Sequence, residues 1–142
     1  MLIGTILQTK GSDVETVHPR ATVTELLAIL ADRNIGAVVV SEDGSSILGI
    51  VSERDIVRRL HARGADALNA PVSSIMTTEV RTCSPGVNVD DLRQTMTTHR
   101  IRHVPVVSGD RLIGIVSIGD VIKSAIETLE TERAHLVDYL HR

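Results

Sequence analysis

Apolar residues along this chain alternate between helical spacing and short continuous runs. Positions 23, 26, 27 and 30 follow the i, i+3, i+4, i+7 spacing of a helix with one buried face. Thr22 precedes this stripe and Glu25 follows three residues later, which is the pattern of an N-terminal capping box. Two apolar runs come next, at 37–40 and 47–51, and the Asp-Gly pair between them predicts a β-hairpin.

The same order of elements occurs twice. Pro85 lies 66 residues after Pro19, and the same offset links four apolar pairs, namely Val23 with Val89, Leu26 with Leu92, Ile35 with Ile101 and Val38 with Val104. The offset becomes 65 after the hairpin turn, where Gly-Ile-Val-Ser at 49–52 matches Gly-Ile-Val-Ser at 114–117. A register this long indicates a tandem duplication of a unit of about sixty residues. A short extended piece before the Pro and a closing helix that begins at Ser52 and ends near Gly64 complete a β-α-β-β-α unit.

The predicted fold class is α+β. One unit has too little core to be stable alone, so we expect the two repeats to pack sheet to sheet with pseudo-two-fold symmetry. The first repeat is placed at residues 1–65, the second at 66–124, and a C-terminal helical extension at 125–142.

Heptad spacing links Ile122, Ile126, Leu129, Leu136 and Leu140, with Arg133 as the one interruption. This helix either folds back on its own module or forms a self-association surface.

Composition argues against several classes of protein. The 142 residues include no Trp, no Phe and one Tyr, which does not suit a nucleic-acid module that stacks bases on aromatic side chains. A net charge of −3 argues against a basic surface that follows phosphates. The single cysteine, Cys83, cannot form an intramolecular disulfide and is expected to be buried and unreactive. No apolar run of about 18 residues and no signal peptide is visible, so we expect a cytoplasmic location and no membrane partner.

The Gly-Ile-Val-Ser-x-x-Asp motif at 49–55 and 114–120 is one candidate for chemistry. An ionised Asp only accepts hydrogen bonds, so its carboxylate can take two from the vicinal hydroxyls of a ribose. The N-terminus of the following helix offers free N–H groups to an anion. Ser-x-x-Asp is equally the pattern of a plain capping box, and the residues alone leave both interpretations open.

A basic pair, Arg102-His103, is the second candidate. It lies where the second hairpin begins and suits a phosphate, with a solvated strand end as the alternative interpretation. The first copy has Gly36-Ala37 there and so lacks charge. His99 and His103 are four residues apart but straddle a predicted helix–strand junction, so no metal site is expected. We also expect no enzymatic activity, because no nucleophile with a base and no phosphate-binding glycine loop is visible.

The duplicated unit resembles the CBS domain, and residues 3–123 resemble a tandem CBS pair, the Bateman module. The resemblance rests on four segments in order, at 34–40, 49–56, 102–107 and 114–121. It implies a regulatory module that binds an adenosine-containing ligand in the cleft between the repeats, such as AMP, ADP, ATP, NAD(H) or S-adenosylmethionine, without a metal. AMP and NAD are the leading candidates. The resemblance also implies a homodimer and a separate, unidentified protein that it regulates.

The resemblance assigns roles to the residues of the two motifs. Asp55 and Asp120 would hold the ribose hydroxyls, and Ser52 and Ser117 would lie beside the ribose or the phosphates. Arg54, inside the first motif, could supply the positive charge that the first copy otherwise lacks.

Other assignments lie outside the motifs. Arg102 and His103 would face the phosphates, and Thr16 and Thr82 match, more loosely, a threonine near the base. A ligand-independent dimerisation or interaction scaffold, in which Ser-x-x-Asp only caps a helix, is the alternative function.

Overall fold

A computed structural model describes residues 1–11 and 14–142 of the chain. The first repeat contains α2 (Val23–Arg33), α3 (Glu53–Arg63) and strands β1 (Thr16–Val17), β2 (Ala37–Val40) and β3 (Gly49–Ser52). The second contains α4 (Val89–His99) and strands β4 (His103–Ser108) and β5 (Arg111–Ser117). Helix α1 (Ile3–Lys10) precedes them, two 3-10 helices (Gly64–Asn69 and Val72–Ser74) connect them, and α5 (Ile118–Leu140) ends the chain. The predicted α+β architecture of two repeats with a C-terminal helix is confirmed.

The hairpins carry equivalent strand registers in the two repeats. In the first, β2 and β3 are antiparallel with Ala37 opposite Ser52, and β1 pairs with β2 in parallel. In the second, β4 and β5 are antiparallel with His103 opposite Ser117. The parallel strand of the second repeat is reduced to one bridge between Cys83 and Val106. In each repeat, the second strand of the hairpin therefore ends at a serine that caps the following helix, and the two serines lie at equivalent ends of their hairpins.

Each repeat has its own hydrophobic core. The core of the first includes Val23, Leu26 and Val51. The core of the second includes Ile3, Ile6 and Leu7 of α1, together with residues of α4, β4 and β5. Helix α1 therefore packs against the second repeat although it precedes the first along the chain. Neither this helix nor its position follows from the repeat pattern of the sequence.

Helix α5 continues from the second motif to the end of the chain without a break. Val121 and Ser124 near its start are buried, whereas Leu129, Leu136 and Leu140 are 64%, 62% and 71% exposed. The apolar face of the extension is thus open to solvent and does not fold back on the module. None of the described helices is both long and apolar enough to cross a membrane.

Candidate functional site

The first Ser-x-x-Asp motif forms where β3 ends and α3 begins. The Ser52 N–H donates to Oδ2 of Asp55 at 2.9 Å, and the Ser52 hydroxyl donates to the same oxygen at 3.2 Å. The Asp55 N–H donates to the Ser52 hydroxyl oxygen at 3.4 Å, which completes a capping box. In the described part of the chain, no hydrogen bond engages Oδ1 of Asp55, so this oxygen is able to accept from a ligand.

Asp55 lies on a cleft of about 430 Å³ whose walls come from both repeats. The first repeat contributes β2, the end of β3 and the start of α3, and the second contributes residues 99–103. The lining includes three carboxylates and a larger set of basic side chains, namely Arg54, Arg58, Arg81, Arg100, Arg102, His99 and His103. Basic side chains therefore outnumber carboxylates in the cleft, and one of the carboxylates, Asp55, belongs to a helix cap. Such a site suits an anionic ligand that also carries hydroxyl groups.

The structure brings the basic pair into the same cleft as the motif of the other repeat. Arg102 and His103 belong to the second repeat, yet they line the cleft that contains Ser52, Arg54 and Asp55. The shortage of charge expected for the first motif does not occur, because the second repeat supplies the basic residues. Comparison of positions within one copy missed this exchange.

The two threonines matched loosely to the base are not among the residues that line this cleft. Thr16 is in β1, opposite Val39, and Thr82 adjoins the bridge at Cys83. The threonine that lines the cleft is Thr77, which exchanges backbone hydrogen bonds of 2.9 and 2.8 Å with Ile50. Thr77 lies within the predicted second repeat, in a segment for which the repeat comparison identifies no matching residue in the first.

The second motif has the same cap but different surroundings. The Ser117 N–H donates to Oδ2 of Asp120 at 2.9 Å, and the Asp120 N–H donates to the Ser117 hydroxyl oxygen at 3.1 Å. The ammonium of Lys10 donates to the same Oδ2 at 2.7 Å and to the Ile115 carbonyl oxygen at 2.8 Å. The first motif opens onto the cleft, whereas the second is engaged by α1.

Known proteins share this arrangement of repeats. A family model for the CBS domain matches residues 5–62 and 72–127. This chain belongs to the CBS domain family. A CBS domain-containing protein of Bacillus subtilis, YhcV, is 34% identical to this CBS pair over 132 residues, which cover 93% of this chain and 91% of YhcV.

Solved structures agree with this assignment. The CBS-domain containing protein ATU1752 from Agrobacterium tumefaciens is 42% identical, with a TM-score of 0.85 over 88% of this chain and 99% of the other. The CBS domain pair of protein MJ0100, in complex with 5′-methylthioadenosine and S-adenosyl-L-methionine, is 26% identical, with a TM-score of 0.80 over 90% and 98% of the two chains. CBS pairs are regulatory modules, generally non-enzymatic, and some of them bind adenosine-containing ligands.

His103 is a half-buried titratable side chain in the cleft of this CBS pair. Burial lowers its pKa, and the charges of Lys10 and Arg102 lower it further, against the opposing effect of Glu53 and Asp120. The imidazole is therefore mostly neutral at pH 7 in the free protein. A bound phosphate would add negative charge beside it and favour the protonated, phosphate-binding form.

The carboxylate of Asp120 is ionised in this CBS pair. Burial raises its pKa, but the hydrogen bond and charge of Lys10 and the Ser117 N–H together outweigh burial, so the pKa lies below its usual value.

Cys83 is buried, and burial raises the pKa of its thiol to about 11. This thiol is poorly suited to act as a nucleophile. Among the described residues, no group of three or more His, Cys, Asp or Glu side chains is arranged to hold a metal.

Proposed function

We propose that this CBS pair is a regulatory module that binds a phosphate-bearing adenosine ligand in the cleft at Asp55. The observation that supports the proposal is the cleft itself, which is lined by Asp55 with its available oxygen and also by Arg102 and His103. The carboxylate accepts from the ribose hydroxyls, and the guanidinium binds phosphate oxygens in a bidentate manner. Ile50 and Val80 offer aliphatic walls to an adenine, in a chain that has no Phe or Trp to stack on it.

A ligand in this cleft would contact both repeats at once, through Asp55 of the first and Arg102 of the second. It shifts the arrangement of the repeats to the extent that it binds one arrangement more tightly than another. We propose that a separate regulated protein responds to that shift. AMP and NAD are the ligands expected first, because one phosphate or a diphosphate matches the basic segment at 100–103.

A thermal-shift panel tests the proposal with AMP, ADP, ATP, NAD, NADH and S-adenosylmethionine. A ligand that binds only the folded state raises the melting temperature, and Asp55→Ala should abolish that rise. Glu25→Ala is the matched control, because Glu25 accepts from the Thr22 N–H at 3.0 Å in the equivalent position of another capping box. It should lower stability by about 1 kcal/mol and keep the ligand shift. A shift that survives in Asp55→Ala contradicts the proposal.

Self-association through α5 is a second candidate function, favoured by the exposed heptad stripe. Ile126, Leu129, Leu136 and Leu140 are each at least half exposed on one face of the helix. We propose that this face pairs with a second copy of the chain and forms a homodimer. Sedimentation over a range of concentrations should show a dimer that Leu136→Glu weakens and Thr131→Glu, on the opposite face, leaves intact. A monomeric wild type excludes this interface.

The two candidate functions give different results in the ligand panel. A scaffold that works without a ligand shows no thermal shift with any of the compounds at millimolar concentration. Its dimer forms equally well in Asp55→Ala.

A further inference from the structure

The space beside the second Asp is filled by the chain itself. In the first repeat, Ile50 pairs with Thr77 through two backbone hydrogen bonds, and both residues line the cleft next to Asp55. The equivalent of Ile50 in the second repeat is Ile115, whose carbonyl oxygen accepts from the Lys10 ammonium at 2.8 Å. Lys10 therefore links β5 to the second Asp, through the carbonyl whose equivalent in the first repeat accepts from the Thr77 N–H.

Helix α1 anchors Lys10 in this place. Its residues Ile3, Ile6 and Leu7 are buried in the core of the second repeat. Leu7 lies so close to β5 that a Cβ added at Gly114 would be 2.5 Å from its Cδ2. Lys10 thus extends from the end of a packed helix.

The ion pair that Lys10 forms is partly shielded from water. Its ammonium lies 2.7 Å from Oδ2 of Asp120, and the two side chains are 37% and 25% exposed. Such a pair is screened by salt less than a fully exposed one.

This arrangement opposes binding of a ligand at Asp120. The ammonium already donates to Oδ2 of Asp120 and balances its charge, so ribose hydroxyls either bind a neutralised carboxylate or displace Lys10. Displacing Lys10 also leaves the Ile115 carbonyl without its donor. Opening the second position therefore costs the chain an ion pair and a hydrogen bond to a backbone carbonyl.

We propose that Lys10 closes the second ligand position as an internal counter-ion of Asp120. The chain then binds one adenosine ligand, at Asp55, and gains a second only when the ammonium is removed or withdrawn. The number of ligands rests on the proposed function of the cleft, whereas the ion pair itself can be tested without any ligand.

Calorimetric titration of AMP, ADP, ATP, NAD and S-adenosylmethionine into wild type and Lys10→Met tests the closure. Methionine keeps an unbranched side chain at the end of α1 and removes the ammonium. We expect one ligand per chain for wild type, two for Lys10→Met, and one again for Lys10→Met combined with Asp120→Ala. Lys123→Met is the matched control, because Lys123 is the only other lysine of the chain and is exposed on α5. It should bind one ligand.

The outcomes separate this inference from the proposed function. Two ligands on wild type, or one on Lys10→Met, overturns the closure and leaves the cleft at Asp55 as proposed. If no compound binds wild type, the proposed function fails and Lys10→Met decides the inference by itself. Binding that appears in this variant and disappears with Asp120→Ala supports the closure, and no binding overturns it.

Amine labelling supplies the readout that needs no ligand. Acetic anhydride should acetylate Lys10 more slowly than Lys123 in wild type, because the Lys10 amine is engaged by Asp120 and the Ile115 carbonyl and is partly covered. Asp120→Asn should accelerate acetylation of Lys10 and leave Lys123 unchanged, as measured by mass spectrometry. Equal rates for Lys10 in the two proteins overturn the inference.

Discussion

Gly49 and Gly114 are equivalent positions at which the two repeats should tolerate a side chain differently. A Cβ at Gly49 would lie 2.8 Å from the Thr77 carbonyl oxygen and 2.8 Å from the sulfur of Met76. A Cβ at Gly114 would lie 2.5 Å from Cδ2 and 3.1 Å from Cδ1 of Leu7. At Gly114 only the end of a side chain has to move, whereas at Gly49 a backbone carbonyl has to move. We predict that alanine destabilises the protein more at position 49.

The magnitudes follow from these contacts. Overpacking costs about 1–3 kcal/mol, and the lower freedom of alanine in the unfolded chain returns about 0.4–1 kcal/mol, so Gly114→Ala should cost about 0.5–2 kcal/mol. Gly49→Ala also weakens the two hydrogen bonds between Ile50 and Thr77, each contributing about 0.5–1.5 kcal/mol, so its cost should reach about 2–4 kcal/mol.

A second substitution should rescue one variant and not the other. Leu7→Ala alone should cost about 2–5 kcal/mol, because Leu7 is a buried core residue. Combined with Gly114→Ala it should cost at least about 1 kcal/mol less than the sum of the two single losses, since the atoms removed are those that clash. Met76→Ala should not rescue Gly49→Ala, because the Thr77 carbonyl oxygen stays in place.

Urea unfolding monitored by far-UV circular dichroism measures these free energies. Fluorescence is a poor probe here, because the chain has no Trp and Tyr139 is 72% exposed. With unchanged m values, shifts of the midpoint report stability. Equal losses at the two glycines, or additive effects of Leu7→Ala and Gly114→Ala, would refute this account of the contacts.

Three further predictions concern titratable groups. Affinity for a phosphate-bearing nucleotide should rise as the pH falls from about 8 to about 6, because bound phosphate favours protonated His103. Calorimetry at several pH values measures this dependence, and His103→Gln should lack it. The lowered pKa of Asp120 means that its stabilisation is present above about pH 4 and is lost as the pH falls through the folded-state pKa; Asp120→Asn should flatten the acid limb of urea stability. Cys83 should react with Ellman's reagent only on unfolding, and rapid labelling of folded protein would contradict its burial.

Local signals in the sequence account for most of the fold. Thr22 with Glu25 and Ser52 with Asp55 are three residues apart, and each pair forms the capping box that this spacing indicates. The hairpins likewise join neighbouring segments, and Gly64 ends α3 as expected. The repeat register extends the predicted elements to the second copy, but the cap of α4 differs, because Asn88 accepts from the Asp90 N–H and forms no capping box with Asp91.

Long-range contacts account for what the sequence analysis missed. Ile3, Ile6 and Leu7 have helical spacing, but α1 is only eight residues long and its N-cap, Leu2, makes no side-chain hydrogen bond. A helix this short depends on packing, and its partner is the more distant repeat. The position of Arg102 opposite Asp55 is equally a matter of how two folded units meet, and no spacing along the chain encodes it.

The two ligand positions differ because each motif is completed by residues outside its own repeat. Asp55 is completed by the basic segment of the second repeat, which makes its surroundings cationic and open. Lys10 lies beside Asp120, balances the charge of its carboxylate and occupies part of the space next to it. If the proposed function is right, a substitution at residues 99–103 or at Lys10 should change ligand binding without altering a Ser-x-x-Asp motif. If the proposed function is right, selection for a given ligand acts on residues 99–103 and on α1 more strongly than on the motifs, which the helix caps require in any case.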